Sequence, residues 1–221
     1  MIEQTVVSTS VSATTILVIS IMGTFVFALS GALAAIRARL DLFGVGVLAL
    51  TVGLAGGTLR DILLNDRPIA LFDWRVVVAA LAAACIALIL RTPLDRWQHS
   101  IDAFDAIGLG LFSVLGTDIA LQHNVGPLPA VLLGCVTATG GGVVRDVLLR
   151  KVPEVLRQGL YAVPALLGST VIVIAFEIDR TSLWWYAFGA GLCIAVRLAG
   201  MHWNINLPIA PLPEGESESK D

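Results

Sequence analysis

GGTLRDILL, from Gly56 to Leu64, returns 85 residues later as GGVVRDVLL, from Gly141 to Leu149. The same offset pairs Phe27 with Phe112, Gly31 with Gly116, Ala35 with Ala120, Leu48 with Leu133 and Pro68 with Pro153. Across the 42 ungapped positions from Phe27 to Pro68 there are eleven identities. Apolar segments match partly by chance because their alphabet is small. A Gly-Gly-x-x-Arg-Asp run in register with a downstream proline is not that kind of match. The chain carries an internal duplication.

The surroundings of this motif are strongly apolar. Of 221 residues, 57% are hydrophobic and 14% charged, with a mean hydropathy of +0.86. Soluble domains carry about 25% charged residues, so disorder, nucleic-acid binding and a water-exposed enzyme surface are excluded as first readings. Seventeen acidic residues against fourteen basic ones leave a net charge of -3 and no basic face for a polyanion. Cys85, Cys135 and Cys193 lie far apart in apolar runs and read as small buried hydrophobes. Only Glu3 is charged ahead of the first apolar run, so that run is expected to stay as a membrane span rather than leave as a signal peptide.

Crossing about 30 Å of hydrocarbon takes roughly 20 mainly apolar helical residues. Seven stretches qualify: Thr15–Ile36, Leu42–Leu64, Trp74–Leu90, Ile101–Leu121, Leu128–Leu149, Leu160–Phe176 and Leu183–Ala199. They lack the alternating polarity of barrel strands, so the expected fold is all-α and integral to the membrane. Residues 1–207 form one transmembrane domain, with repeat one over about 15–90, repeat two over about 101–176 and a seventh helix over about 183–199. Three spans per repeat is an odd number, so the second copy must enter from the opposite side, giving an inverted-topology repeat. The Pro-, Glu- and Ser-rich tail, 208–221, reads as disordered and cytoplasmic.

With the N-terminus outside, the inner segments hold Arg37, Arg39, Arg91, Arg96, Arg150, Lys151, Arg157, Arg197 and Lys220. The outer ones hold only Arg67, Arg75 and Arg180, so the positive-inside rule predicts N-out and C-in. In a cell envelope this is a multi-pass protein of the inner, or plasma, membrane. Trp74 and Trp97 flank the third span, and Trp184, Trp185 and Trp203 flank the seventh, as interfacial anchors do.

Inverted repeats build their sites near the midplane on helices interrupted by glycine or proline, which singles out spans two and five. A bend at Gly56-Gly57 or Gly140-Gly141-Gly142 would loosen carbonyls one turn earlier, around Val52–Gly53 and Thr137–Ala138. Such carbonyls are suitable ligands for a partly dehydrated cation. Arg60 and Arg145 should lie back across the glycines, with Asp61 and Asp146 following about 100° around the helix. Charges in hydrocarbon must be paired or hydrated, and the acids Asp61, Asp146 and Asp118 are the candidate partners.

The plainer alternative is packing. Glycine pairs let helices approach, arginines near span ends snorkel, and Arg-Asp dipeptides can tie repeats together. Other polar positions within the spans are Ser30, Thr51, Thr58, Asp105, Ser113, Thr117, Asp118, Thr137 and Thr139. A lone Ser or Thr there is expected to bond its own helix's i−4 carbonyl. Small residues at Gly44, Gly46, Gly53 and Gly134 offer themselves for close subunit contact. His99, His123 and His202 fall in loops or at span ends, so no tight metal site is expected. No HExxH, GxSxG or Walker loop is present, and an arginine beside each aspartate disfavours a shared-proton dyad, so the protein reads as a non-enzyme.

FALSGALAAIRARLDLFGV with GGTLRD (Phe27–Asp61), and FDAIGLGLFSVLGT with GGGVVRDVL (Phe104–Leu148), resemble the bacterial branch of the trimeric intracellular cation (TRIC) channel family. The resemblance covers both repeats, roughly Phe27 to Pro153. It implies a homotrimer in membrane lipid, each protomer with its own pore lined largely by spans one, two, four and five. It also implies glycine kinks, transient monovalent cations (chiefly potassium) and no cofactor. The implied pore and gating residues are Ser30, Thr51, Gly56, Gly57, Arg60, Asp61, Thr117, Asp118, Thr137, Gly140, Gly141, Gly142, Arg145 and Asp146. The same repeat has been labelled a glycine-transporter domain, so a carrier of a small amino acid such as glycine is the alternative, and a non-transporting scaffold is the third. Two departures stand out. Repeat one reads Ala55-Gly56-Gly57 where three glycines are expected, and Asp118-Ile119 stands where relatives often carry a lysine near Ile119.

Overall fold

A computed structural model describes residues 12–89, 97–157, 160–203 and 205. The proposed tail, 208–221, lies outside the described residues, as do Arg91, Arg96 and Lys220. Nine helices and no strand occur among the described residues: α1 (Ala13–Arg37), α2 (Leu42–Leu63), α3 (Ile69–Phe72), α4 (Trp74–Ile89), α5 (Trp97–Gln122), α6 (Pro127–Leu148), α7 (Glu154–Arg157), α8 (Ala162–Glu177) and α9 (Leu183–His202). Five of them, α1, α2, α5, α6 and α9, are long and apolar enough to cross a bilayer. Helices α4 and α8 are also apolar but have sixteen residues, about 24 Å of helix. Among the described residues this is an all-helical membrane protein.

The repeat is visible helix by helix. Shifting α2 and α3 by 85 residues reproduces both ends of α6 and α7, while α4 reaches α8 with a shift of 88. Even the helix stops are copied. Arg39 and Asn124, and likewise Asn65 and Arg150, adopt the left-handed conformation that closes a helix. Each is followed by an N–H that reaches back to the carbonyl of Ala35, Ala120, Asp61 or Asp146.

The two copies meet about a local two-fold axis. Phe27 and Phe112, equivalent residues, stack with ring centroids 5.4 Å apart. A Cβ on Gly23 would meet the Phe112 ring at 2.9 Å, and one on its equivalent Gly108 would meet the Phe27 ring at 2.7 Å. Reciprocal contacts of this kind define a self-complementary, closed interface. A step of four residues forward along α1, from Gly23 to Phe27, is a step of four back along α5, from Phe112 to Gly108. The equivalent helices therefore run antiparallel, and the axis lies across them. Helix α9 has no counterpart and packs mainly on α5 and α8.

Of the four small residues offered for subunit contact, two serve this internal packing, whereas Gly46 meets nothing within 4 Å. Gly53 lies against the Thr24 carbonyl, and Gly134 against Thr117 and Ser169, so neither is free for a neighbouring protomer. Cys193 is buried, Cys135 half-buried and Cys85 exposed, which corrects the expectation of three buried thiols. At one end of the molecule His123 bridges the repeats, its Nε2 at 3.2 Å from Asp66 Oδ2. The Arg67 backbone N–H, and then His123, hold the Asp66 carboxyl below the ordinary aspartate value. Because the folded value is depressed, the contribution of Asp66 is present above the unfolded value and lost as pH falls through the folded one. Asp66→Asn should lower the melting temperature slightly at neutral pH, and the gap should close below about pH 4.

Candidate functional site

The glycine runs mark where α2 and α6 cross. A Cβ on Gly56 would fall onto the Thr137 carbonyl oxygen, and one on its equivalent Gly141 would lie 2.6 Å from the Val52 carbonyl oxygen. Val52 and Thr137 are themselves equivalent, so this contact too is two-fold. A Cβ on Gly140 would meet the Gly56 Cα at 3.0 Å. Both helices remain α-helical through the glycines. The Val52 and Thr137 carbonyls, expected to be loosened, are covered by the bare backbone of the opposing helix. Gly57 differs from Gly56: the nearest neighbour of its missing Cβ is the Arg60 guanidinium at 3.9 Å, which lies back across it as expected.

Neither arginine snorkels. Arg60 and Arg145 are both 3% exposed, which corrects that alternative. Arg60 donates from Nε and a terminal nitrogen to Asp61 Oδ1 at 2.8 and 2.6 Å. Asp61 Oδ2 accepts the Ile69 N–H at 2.9 Å, at the start of α3. Repeat two copies the device: Arg145 Nε donates to Asp146 Oδ1 at 2.9 Å, and Asp146 Oδ2 accepts the Glu154 N–H at 3.0 Å. Each aspartate thus neutralises its arginine with one oxygen and ties down the following short helix with the other. The registered prolines Pro68 and Pro153, one residue before the capped N–H, were the available signal for this.

The copies then diverge. Arg145 also donates to Asp105 Oδ1 at 2.6 Å and to Ser30 Oγ at 3.0 Å. The sequence marks Asp105 as an intramembrane acid but carries no signal that pairs it with Arg145. Beyond Asp146 a second ion pair joins Arg197 of α9 to Glu154 at 2.7 Å, with the Arg197 guanidinium 4.4 Å over the Tyr161 ring. A cavity of about 260 Å3 opens beside this cluster, lined in part by Ala34, Ile101, Arg145, Asp146 and Glu154.

Three expected residues face neighbours other than the paired arginines. Asp118 accepts from Gln122 at 2.6 Å and lies beside Tyr186 of α9, so it is not the partner of either arginine. Thr51 faces an open apolar groove with Leu50, Leu54 and Thr58. Thr117 is buried against Gly134. The i−4 back-bonding expectation holds for four threonines: Thr51, Thr117, Thr137 and Thr139 donate to the Val47, Ser113, Leu133 and Cys135 carbonyls, whereas Ser113 donates to Gly110 three residues back and Ser30 accepts from Arg145. Among the described residues no group of His, Cys, Asp and Glu is arranged to hold a metal.

Comparison with known proteins agrees with this duplicated architecture. A family model described as "Glycine transporter" matches twice, over residues 17–92 and 102–177. UPF0126 inner membrane protein YadS of Escherichia coli (strain K12) is 36% identical over 205 residues, 89% of this chain and 96% of that protein. A UPF0126 membrane protein of Streptomyces coelicolor is 42% identical over 198 residues, 89% and 91% of the two chains. The TRIC trimeric intracellular cation channel orthologue from Rhodobacter sphaeroides superposes with a TM-score of 0.82 at 32% identity, over 87% of this chain and 100% of that one. A prokaryotic TRIC channel crystallised in 0.5 M KCl gives 0.82 at 27% identity, over 89% and 100%. The doubled family model, the UPF0126 relatives and the shared fold agree, and the chain belongs to the prokaryotic branch of the TRIC channel family.

Proposed function

We propose that the protein is a potassium-permeable monovalent cation channel of the inner membrane, with a pore through each protomer of a homotrimer. The observation that carries this reading is the superposition over the whole length of the Rhodobacter sphaeroides channel. Seven spans, α1, α2, α4, α5, α6, α8 and α9, cross the bilayer as two inverted three-helix repeats and one extra helix. The N-terminus is outside and the C-terminus cytoplasmic. The antiparallel two-fold relation supports the inversion, and lysine and arginine placement supports the orientation.

The pathway runs past the crossing of α2 and α6, and the crossing is its gate. Its lining is Ser30, Gly56, Gly57, Arg60, Asp61, Thr137, Gly140, Gly141, Gly142, Arg145 and Asp146. With Gly56 seated on the Thr137 carbonyl, an ion passes only when the two helices separate. Separation would release the Val52 and Thr137 carbonyls, which can then replace part of an ion's hydration. Two arginines beside the route would repel a cation by several kcal/mol each at close range, and each is neutralised by its own aspartate.

Nothing at the crossing forms a rigid ring of carbonyls, so discrimination is weak. The potassium-to-sodium permeability ratio, from reversal potentials under bi-ionic conditions, should be below roughly ten, and a far larger one would contradict this lining. The name of the matching family model favours a second reading, a glycine carrier. A carrier would show glycine-coupled flux without unitary currents.

A further inference from the structure

The two-fold relation fails at the arginines. Arg60 has one acid, Asp61, whereas Arg145 has both Asp146 and Asp105. The first-repeat equivalent of Asp105 is Ser20, and the second-repeat equivalent of Ser30 is Leu115. In the ion-paired cluster itself, three carboxylates (Asp105, Asp146 and Glu154) face two guanidiniums (Arg145 and Arg197). Its Oδ2 has no hydrogen-bond partner among the described residues, although the residue is 1% exposed. The Tyr161 hydroxyl, buried to the same degree, also makes no bond of good geometry, and Asp105 is the group it faces. Both groups converge on Gly142: the hydroxyl takes the place of its missing Cβ, and Asp105 Oδ1 would be 3.3 Å from that point. Buried polar atoms without partners are rare and costly, and more so for a charged group inside a membrane.

These oxygens lie beneath an opening. Ser30 and Asp105 stand one helical turn from Ala34 and Ile101, which line the cavity of about 260 Å3. Arg37 and Lys151 lie at its solvent side, where salt screens their charge. The Arg145 terminal nitrogen bonds both Ser30 Oγ and Asp105 Oδ1, a tethered cation on an oxygen cradle.

We propose that Asp105, Ser30 and the Tyr161 hydroxyl form a binding site for one dehydrated monovalent cation, a site that the Arg145 guanidinium fills in this structure. The inference rests on the channel reading and adds an ion site that one half of the pathway has and the other lacks. One carboxylate with two neutral oxygens suits a monovalent ion, whereas calcium takes six to eight oxygen ligands and magnesium a strict octahedron. A site on one side only makes conduction asymmetric about zero voltage.

The test combines single-channel recording in symmetric KCl with melting of the purified protein in KCl against N-methyl-D-glucamine chloride. The parent current should rectify and saturate with KCl. Asp105→Asn and Ser30→Ala should raise the half-saturating KCl concentration several-fold and abolish rectification, and Ser20→Asp should reduce rectification by placing an acid in the other half. Potassium should raise the melting temperature of the parent and not of either site variant. A conducting parent whose curves are unchanged in Asp105→Asn and Ser30→Ala overturns the site. If Asp105→Asn does not fold, Ser30→Ala carries the comparison. If the parent does not conduct, the channel reading fails and melting decides alone: a potassium shift absent from Ser30→Ala supports the site, and an equal shift in both overturns it.

Discussion

Gly56→Ala should destabilise the protein strongly, while Gly57→Ala, one residue away, should be neutral or stabilising. At Gly56 the added methyl would land on the Thr137 carbonyl oxygen, which belongs to a helix and cannot turn aside. Helices α2 and α6 must move apart along the crossing, forfeiting the dispersion contacts that hold helices together where no hydrophobic force does. Overpacking of this kind costs about 1–3 kcal/mol, and a clash with backbone belongs at the upper end or beyond. At Gly57 the only nearby group among the described residues is the flexible end of Arg60 at 3.9 Å. There alanine recovers up to about 1 kcal/mol of helix propensity. Thermal unfolding of both variants in one detergent measures the contrast, with Gly46→Ala, which meets nothing within 4 Å, as control. Equal losses at Gly56 and Gly57 would show that backbone flexibility, rather than close approach, is what the pair supplies.

Arg145→Gln should cost more than Arg60→Gln. Removing the Arg145 guanidinium strands two buried carboxylates, Asp105 and Asp146, and leaves Ser30 without its donor. Removing that of Arg60 strands Asp61 alone, whose second oxygen still accepts from Ile69. Breaking a buried pair by deleting one partner costs about 3–5 kcal/mol, and the Arg145 variant loses two such pairs. Adding Asp105→Asn to Arg145→Gln should return part of the loss, because it removes one stranded charge. The yield of folded protein and its melting temperature in one lipid or detergent system read both effects. Indistinguishable arginine variants would mean that Asp105 contributes nothing to holding Arg145.

The duplication, the helical architecture and the partners Asp61 and Asp146 were legible in the sequence because each depends on register or on immediate neighbours. Span two was read as Leu42–Leu64 and the helix is Leu42–Leu63; span five was read as Leu128–Leu149 and the helix is Pro127–Leu148. The contact of Arg145 with Asp105 was not legible, since they are 40 residues apart on different helices and periodicity reports a face, not what meets it. For the same reason Asp118, a candidate partner of the arginines in sequence, instead lies beside Tyr186 of α9. The division of labour between Gly56 and Gly57 was hidden because two adjacent glycines look alike in sequence, although they lie about 100° apart around the helix. The close approach of α2 and α6 was the plainer of two readings of the glycine runs, and the geometry realises it.

The central claim is that this antiparallel crossing gates a cation pore, and recording from the purified protein in planar bilayers tests it most directly. The account predicts stepwise potassium currents in the parent. It predicts smaller unitary currents in folded Asp61→Asn and Asp146→Asn, where an unneutralised arginine faces the pathway. Glycine-driven flux in proteoliposomes with no unitary current in bilayers, or four folded variants (Asp61→Asn, Asp146→Asn, Arg60→Gln and Arg145→Gln) that conduct like the parent, would contradict it.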